Sequence, residues 1–414
     1  MNLNFWPKMY YSGGGGGGGG DAGGGGGAGS GGGGAGGGGA AGGGATYGGG
    51  AGYGGAGSGG GAGGELPPEE PTPVGAFRFN IDTLKLEYYD GNQWVTVTTT
   101  SPEQHTGGTR GFILGGRFAN ASSTDRIERH QISTTGNGVD FGNLASPATA
   151  LKANTSDHSR LCSFGDYNSP DTTMINSIDF ITMASDGDAT DFGDMSQGAF
   201  SCQPVNDNTR GVYVGGTNVY NSVSGTFNNI EYITIQSTGN SQDFGDMSQK
   251  TAAGQGFSSP TRGITAGGWS PSPENSRLNY IQYITISTLG NTADFGDIVQ
   301  AAAFTCGNTA SNAVRGLLTL NNTSEGTYQN VIQFVTTATL GNAVDFGDLV
   351  RSSEWVCGMA SPTRGVFHNP GGNTNDDHMD YVEIMTTGNA IDFGDITQDL
   401  ARTSAGSNGH GGLG

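Results

Sequence analysis

The tetrapeptide Asp-Phe-Gly-Asp, or a close variant, occurs six times in this chain. It starts at Asp140 (as Asp-Phe-Gly-Asn), Asp191, Asp243, Asp294, Asp345 and Asp392, at intervals of 51, 52, 51, 51 and 47 residues. A unit of this length cannot bury an apolar face alone, so copies must stack on one another. Each motif follows a run with two-residue alternation that ends in a Gly turn, as in Ile230-Glu-Tyr-Ile-Thr-Ile235 before Gly239-Asn240. An arginine stands upstream in every unit: Arg110, Arg160, Arg210, Arg262, Arg315 and Arg364. In three units a Gly-Gly pair closes the next run: Gly115-Gly116, Gly215-Gly216 and Gly267-Gly268. Alternation, β-branched residues and Gly/Asn/Pro punctuation predict four short strands per unit. In the fourth unit these are 252–259, 262–266, 279–287 and 294–298.

Four strands at a period near 50 predict propeller blades, and six units predict six of them. The first unit lacks an innermost strand, because residues 101–109 do not fit the pattern. Residues 402–408 (Arg-Thr-Ser-Ala-Gly-Ser-Asn) do fit it. The two ends of a domain at 101–414 are therefore expected to pair, removing the open edges that invite aggregation. Cys202, Cys306 and Cys357 follow their motifs by eight or nine residues and so occupy one place in different repeats. With Cys162 they are expected to be free, buried thiols.

Upstream the composition changes abruptly. Residues 13–64 contain 37 glycines, with Ala and Ser making up most of the rest. The expected organisation is an aromatic peptide at 1–11, a polyglycine stalk at 12–64, a Pro/Glu linker at 65–74 and a small β-meander at 75–98. The meander is signalled by the alternation of Leu84, Leu86 and Tyr88 and by the Asp90-Gly91 turn. Phe5, Trp6, Tyr10 and Tyr11 sit far from any core and read as an anchor. The Gly tract is either a flexible tether or a set of extended strands that bundle with symmetry mates into a homo-oligomer.

The chain carries 17 Lys and Arg against 37 Asp and Glu, a net charge of −20. That balance weighs against nucleic acid, whose binding depends on cations meeting phosphates. No apolar run nears the ~20 residues of a membrane helix, and residues 1–11 hold no signal-peptide core. Neither membrane insertion nor export through a secretion channel is expected.

The Arg-Gly…Gly-Gly strand, the Ile-Glu-Tyr-Ile-Thr-Ile strand and the Gly-Asn…Asp-Phe-Gly-Asp close resemble Kelch-type propeller repeats. Their wording is similar to that of tail-fibre and structural proteins of tailed bacteriophages of marine bacteria. The meander from Arg78 to Trp94 is similar to a module that recurs in phage tail fibres, and the segment Ser407-Asn-Gly-His-Gly-Gly-Leu413 to the endings of such proteins. The resemblance spans roughly residues 75–414. It implies a virion protein, extracellular after host lysis, held to virion or tail proteins by its N-terminus and binding a host surface glycan or protein. It supplies no catalytic residue. Asp166 and Asn321 depart from the pattern by standing where Gly is expected.

Other chemistry is weighed residue by residue. A protein-kinase reading of Asp-Phe-Gly fails, because the nucleotide loop and catalytic loop are missing and the motif occurs six times. A residue present once per unit solves a problem that each unit has. Phe is expected to fill the wedge between units and Gly to permit close approach. Each repeat Arg is expected to form a structural ion pair with a motif carboxylate, Asp194, Asp246, Asp297, Asp348 or Asp395. Asp186, Asp188, Asp191 and Asp194 are a possible calcium turn, though the spacing lacks the closing Glu of the twelve-residue loop. His378 beside Asp376 and Asp377 is the densest acid/His cluster. No metal, cofactor or enzyme activity is expected. A copper-dependent sugar oxidase ranks third, after an adhesin and a structural decoration or filament subunit built through the Gly tract.

What differs between repeats points to binding. Segments 117–125, 167–176, 217–229, 269–279, 321–330 and 368–380 diverge in length and content. They follow the second strand of each unit and emerge on one side, where loops free of packing duty carry function. Tyr167, Tyr220, Trp269 and Tyr328, set among Asn, Ser and Thr, are the expected ligand platforms.

Overall fold

A computed structural model describes residues 72–80, 85–96, 109–120, 122–148, 151–168, 173–219, 225–271, 276–303, 305–324, 327–371 and 374–413. The chain divides into two units at Thr100. The anchor residues Phe5, Trp6, Tyr10 and Tyr11, the Gly segment 12–64 and Tyr220 lie outside the described residues. Regular structure is almost entirely β and ends in a 3-10 turn at Gly411–Leu413. Among the described residues no helix is long and apolar enough to cross a membrane.

In the smaller unit Phe77–Asn80, Lys85–Tyr89 and Trp94–Thr96 form an antiparallel sheet. Asp90 fixes its second turn by accepting the N–H groups of Asn92 (2.7 Å) and Gln93 (2.8 Å). One face is closed by Arg78, which lies 4.3 Å over Trp94 and pairs with Glu87 at 2.8 Å. The other face carries Phe77, Phe79, Leu86 and Tyr88, all exposed.

The larger unit holds six antiparallel sheets, one per repeat. The third is typical: Gln203–Asn206, Arg210–Thr217, Thr226–Thr234 and Gln242–Asp246, in that order. The fourth repeat forms Gln255–Ser258, Arg262–Ala266, Ser276–Thr285 and Ala293–Ala302 at the predicted places. In the first sheet the innermost strand is Ser404–Ser407, paired antiparallel with Arg110–Leu114. The register runs from Ser404 opposite Leu114 to Ser407 opposite Gly111, so the far segment does complete the first repeat. Five of the six innermost strands are buried along their whole length. All four cysteines are free and buried.

Contacts between sheets explain the motif. The Phe carbonyl of each motif accepts the N–H of the Gly turn in the next repeat: Phe141 from Gly187, Phe192 from Gly239, Phe244 from Gly290, Phe295 from Gly341 and Phe346 from Gly388. Phe393 of the sixth repeat accepts from Gly136 of the first. The Asn beside that turn Gly caps the last motif residue, as when Asn291 Oδ1 accepts the N–H of Asp246 at 3.0 Å. The motif Gly is demanded by this approach. A Cβ on Gly245 would lie 2.4 Å from the Gly290 carbonyl oxygen, and its φ is +152°. The Phe side chains are buried as expected.

The repeat arginines overturn one expectation. None pairs with a motif carboxylate. Each instead donates to a backbone carbonyl of the next sheet: Arg110 to Met183, Arg160 to Ile235, Arg210 to Ile286, Arg262 to Thr337 and Arg315 to Ile384. Arg364 returns to Ser133 of the first sheet at 3.0 Å. From Arg160 onward each guanidinium also lies over an aromatic ring of its own sheet, at 4.4 to 5.0 Å. The ion-pair assignment fails because each guanidinium is taken up by a carbonyl of the next sheet, while Asp194, Asp246, Asp297, Asp348 and Asp395 are held through their backbone N–H.

Where Gly was expected, Asp166 keeps the glycine-like backbone at φ +139° and accepts the N–H of Tyr167 with its own carboxylate. Asn321 has no positive φ and is fully buried.

Candidate binding face

Antiparallel strands send their turns alternately to opposite ends of each sheet. One end collects the first-to-second and third-to-fourth turns. The other collects the second-to-third loops and the connectors between repeats.

The turn end is uniform. Asp157, Asp207, Asn312 and Asn408 each accept the backbone N–H of the repeat arginine with a side-chain oxygen, and Ser259 and Ser361 do so with their hydroxyls. The segment after Ser407 packs into this end. His410 Nε2 lies 3.1 Å from both Ser156 Oγ and Asn206 Nδ2, and Asn208 Nδ2 donates to the Leu413 carbonyl at 3.0 Å. Gly411 donates to Ser311 Oγ at 3.3 Å. Its position is too tight for any side chain, since a Cβ would fall 2.4 Å from the Ser258 carbonyl. Beneath this segment Asn308 crosses to Asn154, giving and taking a backbone bond at 2.8 and 3.2 Å. This crossing occupies Gly307–Asn308, which pairs in parallel with Gln255–Ser258 of the fourth sheet. What remains is a cavity of about 20 Å³, room for one water.

Buried polar residues tie the sheets below the surface. Each third strand carries a long acceptor facing inward: Glu128, Asp179, Glu231, Gln282, Gln333 and Asp380, all buried. Five of them take a backbone N–H two residues beyond a motif in the preceding repeat, as Gln333 does from Val299 at 2.9 Å and Asp380 from Val350 at 3.2 Å. Asp179 instead faces the buried Lys152 at 3.8 Å. The series is absent from the expected site residues, although a polar residue recurs beside an Ile or Met at one fixed place in all six units.

The loop end varies. Bridges tie four of the six loops to connectors: Arg117 to Ala401, Thr217 to Phe200, Trp269 to Ala252 and Asn322 to Ala303. Tyr167 is not a platform. It is buried, and its ring packs 4.9 Å from Phe200, because its strand runs two residues past the bend and turns the side chain inward. Trp269 is half-buried in a short strand paired with Arg277, and Tyr328 is half-buried opposite Asn322. Among the described residues these aromatics belong to separate sheets and make no contact with one another.

The other candidates resolve into structure. Asp186 pairs with Arg129 at 3.1 Å, and Asp188 accepts the N–H of Asn143 at 2.9 Å, so the supposed calcium turn is an inter-sheet lock. Among the described residues no group of three metal-ligating side chains comes together. The His378 ring bonds Asp380 at 2.6 Å, its backbone N–H donates to Asp376 Oδ1 at 3.2 Å, and Asp376 pairs with Arg351 at 2.6 Å.

Connectors hold residues that the motif search passed over. Ser201, Ala253, Trp355 and Arg402 each precede an innermost strand and each has a positive φ, from +56° to +64°. The Arg402 guanidinium lies 4.6 Å over the Trp355 ring. Beside them Glu354 accepts from Asn322 Nδ2 at 2.9 Å, and Arg277 donates to Asn322 Oδ1 at 2.6 Å. Burial pushes the Glu354 carboxyl above its usual range. No protein-family model matches the chain, and no curated protein matches it.

Proposed function

We propose that the six linked sheets are the blades of a Kelch-like propeller, and that the chain is a non-enzymatic adhesin of a bacteriophage particle. In this reading it is a tail-fibre component that binds a host surface receptor through its second-to-third loops. The observation that carries it is the contrast between the two ends. The turn end repeats one set of bonds six times and is filled at its centre, whereas the loop end differs in every repeat. A scaffold that holds one side constant and varies the other is how binding loops are commonly presented.

Adsorption tests the reading. Labelled full-length chain should bind cells of a susceptible marine bacterium. Exchanging segments 217–229 and 269–279 for the short loop 117–125 should abolish adsorption while leaving the melting temperature within a few degrees. Adsorption that survives the exchange would exclude the loops as the receptor site.

A decoration or filament subunit is the second reading. The exposed apolar face of Phe77, Phe79, Leu86 and Tyr88 favours it, because such a face gains by being covered. Immunogold labelling separates the two: tail-restricted label supports the adhesin, and label over the head or along a fibre supports the subunit.

A further inference from the structure

In the larger unit nearly every cation is engaged. The six repeat arginines donate to carbonyls. Arg126, Arg129, Arg351 and Lys152 pair with carboxylates, and Arg277 donates to Asn322. Among the described residues three cationic side chains have no hydrogen bond or ion pair: Arg117, Lys250 and Arg402. In a chain with 37 carboxylates against 17 cations, free cations are unexpected. All three lie on the loop end, Arg117 at the start of a loop and Lys250 and Arg402 in connectors.

Arg402 is the most prepared of the three. Its backbone is held at φ +58° and that of Trp355 at φ +64°, where sibling connectors use the small residues Ser201 and Ala253. A bulky side chain in that region is strained and persists where something compensates it. The guanidinium lies flat on the indole and is half-buried, so its fork is fixed before any ligand arrives. Glu354, the neighbouring carboxylate, accepts from Asn322 and feels the Arg402 charge without forming an ion pair with it. Arg117 is joined to the residue before Arg402 by a two-bond bridge of 2.8 and 3.0 Å. The Asp pairs of the second to sixth motifs lie at the turn end of the outermost strands, while Asp125 and Asp399 stand nearer the loop and connector.

We propose that Arg402, seated on Trp355, together with Arg117 forms an oxyanion-binding site on the loop end, taking a carboxylate, sulfate or phosphate group of an acidic surface polysaccharide. The planar fork of Arg suits all three groups because each offers two oxygens in a plane. The proposal rests on the loop end being the receptor-binding end and names the chemistry recognised there.

Calorimetric titration of the full chain tests it with three probes: trigalacturonate for a carboxylate source, a sulfated disaccharide, and inorganic phosphate, with neutral galactose oligomers as control. At least one anionic probe should bind, more weakly as salt rises, and the neutral control should not. Arg402→Ser places the residue of a sibling connector at a backbone angle that Ser201 already adopts. It should weaken binding at least tenfold and leave melting unchanged. Arg117→Ser should also weaken binding. Undiminished binding by Arg402→Ser, or no binding of any anionic probe by the unaltered chain, overturns the proposal. A chain that adsorbs to cells yet binds no anion sinks this site and leaves the adhesin standing. A chain that binds anions but adsorbs to no cell does the reverse.

Discussion

Single residues carry the repeat through the backbone rather than through charge. The motif Gly and the turn Gly of the next repeat make a matched pair with different demands. Gly239 has φ +151° but open space around it, so Gly239→Ala should cost only the conformational penalty, about 1–3 kcal/mol. Gly245 has a similar φ and also faces the Gly290 carbonyl at 2.4 Å, so Gly245→Ala should cost clearly more. Urea unfolding of both variants checks the order, and equal losses would remove the close approach as the reason for the motif. Arg262→Ala should cost about 1–3 kcal/mol, the worth of a charge-assisted bond to Thr337 and contact with Tyr283. Asp297→Asn should change stability by less than about 0.5 kcal/mol, because that carboxylate holds nothing. A large loss on Asp297→Asn would restore the ion pair rejected above. The sequence placed the arginine in all six units and the aspartate in five but could not match them, since Arg bonds a carbonyl as readily as a carboxylate and carbonyls leave no mark in a sequence.

Strands were the most legible elements. In the fourth repeat the second strand was foreseen to the residue at Arg262–Ala266, because Gly-Gly and Pro-Thr bracket it. Its fourth strand runs to Ala302, four residues beyond expectation, because Ala and Gln after Ile298 give no period of their own and follow the neighbouring strand. The fifth innermost strand was not foreseen, since Asn308 leaves its own sheet to bond Asn154 across the centre. Tyr167 misled for a related reason: an aromatic beside polar residues reads as exposed until the inward turn of its strand is known. The strand Ser404–Ser407 carries the largest consequence at this scale. Deleting residues 402–414 strips the inner edge from Arg110–Leu114 and the bonds of His410 and Gly411 from three other sheets. The deleted chain should melt at least ten degrees lower or fail to fold. Unchanged melting would show that the pairing contributes little.

For the molecule as a whole, acid is the condition that discriminates. Burial holds His130 at about 3 and His368 at about 4, both below the ordinary 6.5. The unfolded chain protonates these rings first, so their contribution is complete above pH 6.5 and is lost as pH falls toward 4. Asp179 and Glu354 are shifted upward by burial and act in the opposite sense near the bottom of that window. A variant isolates one ring. His130 is buried, has no partner for either ring nitrogen and lies 6.3 Å from Phe393. His130→Leu should therefore lose less melting temperature between pH 7 and pH 5 than the unaltered chain. Equal losses would mean that His130 titrates normally. The sixfold plan was legible from the period alone, whereas the free cations were not, because freedom is the absence of partners that only folding brings near. The pairing of Ser404 with Leu114 spans 290 residues. At roughly 5–20 residues per second of synthesis, the strand Arg110–Leu114 leaves the ribosome about 15–60 s before its mate. Throughout that interval its open edge is available to the finished strand of a neighbouring nascent chain on the same message. Exchange of this strand between chains is then the characteristic misassembly, and brisk translation on a message with widely spaced ribosomes is the condition under which the chain closes on itself.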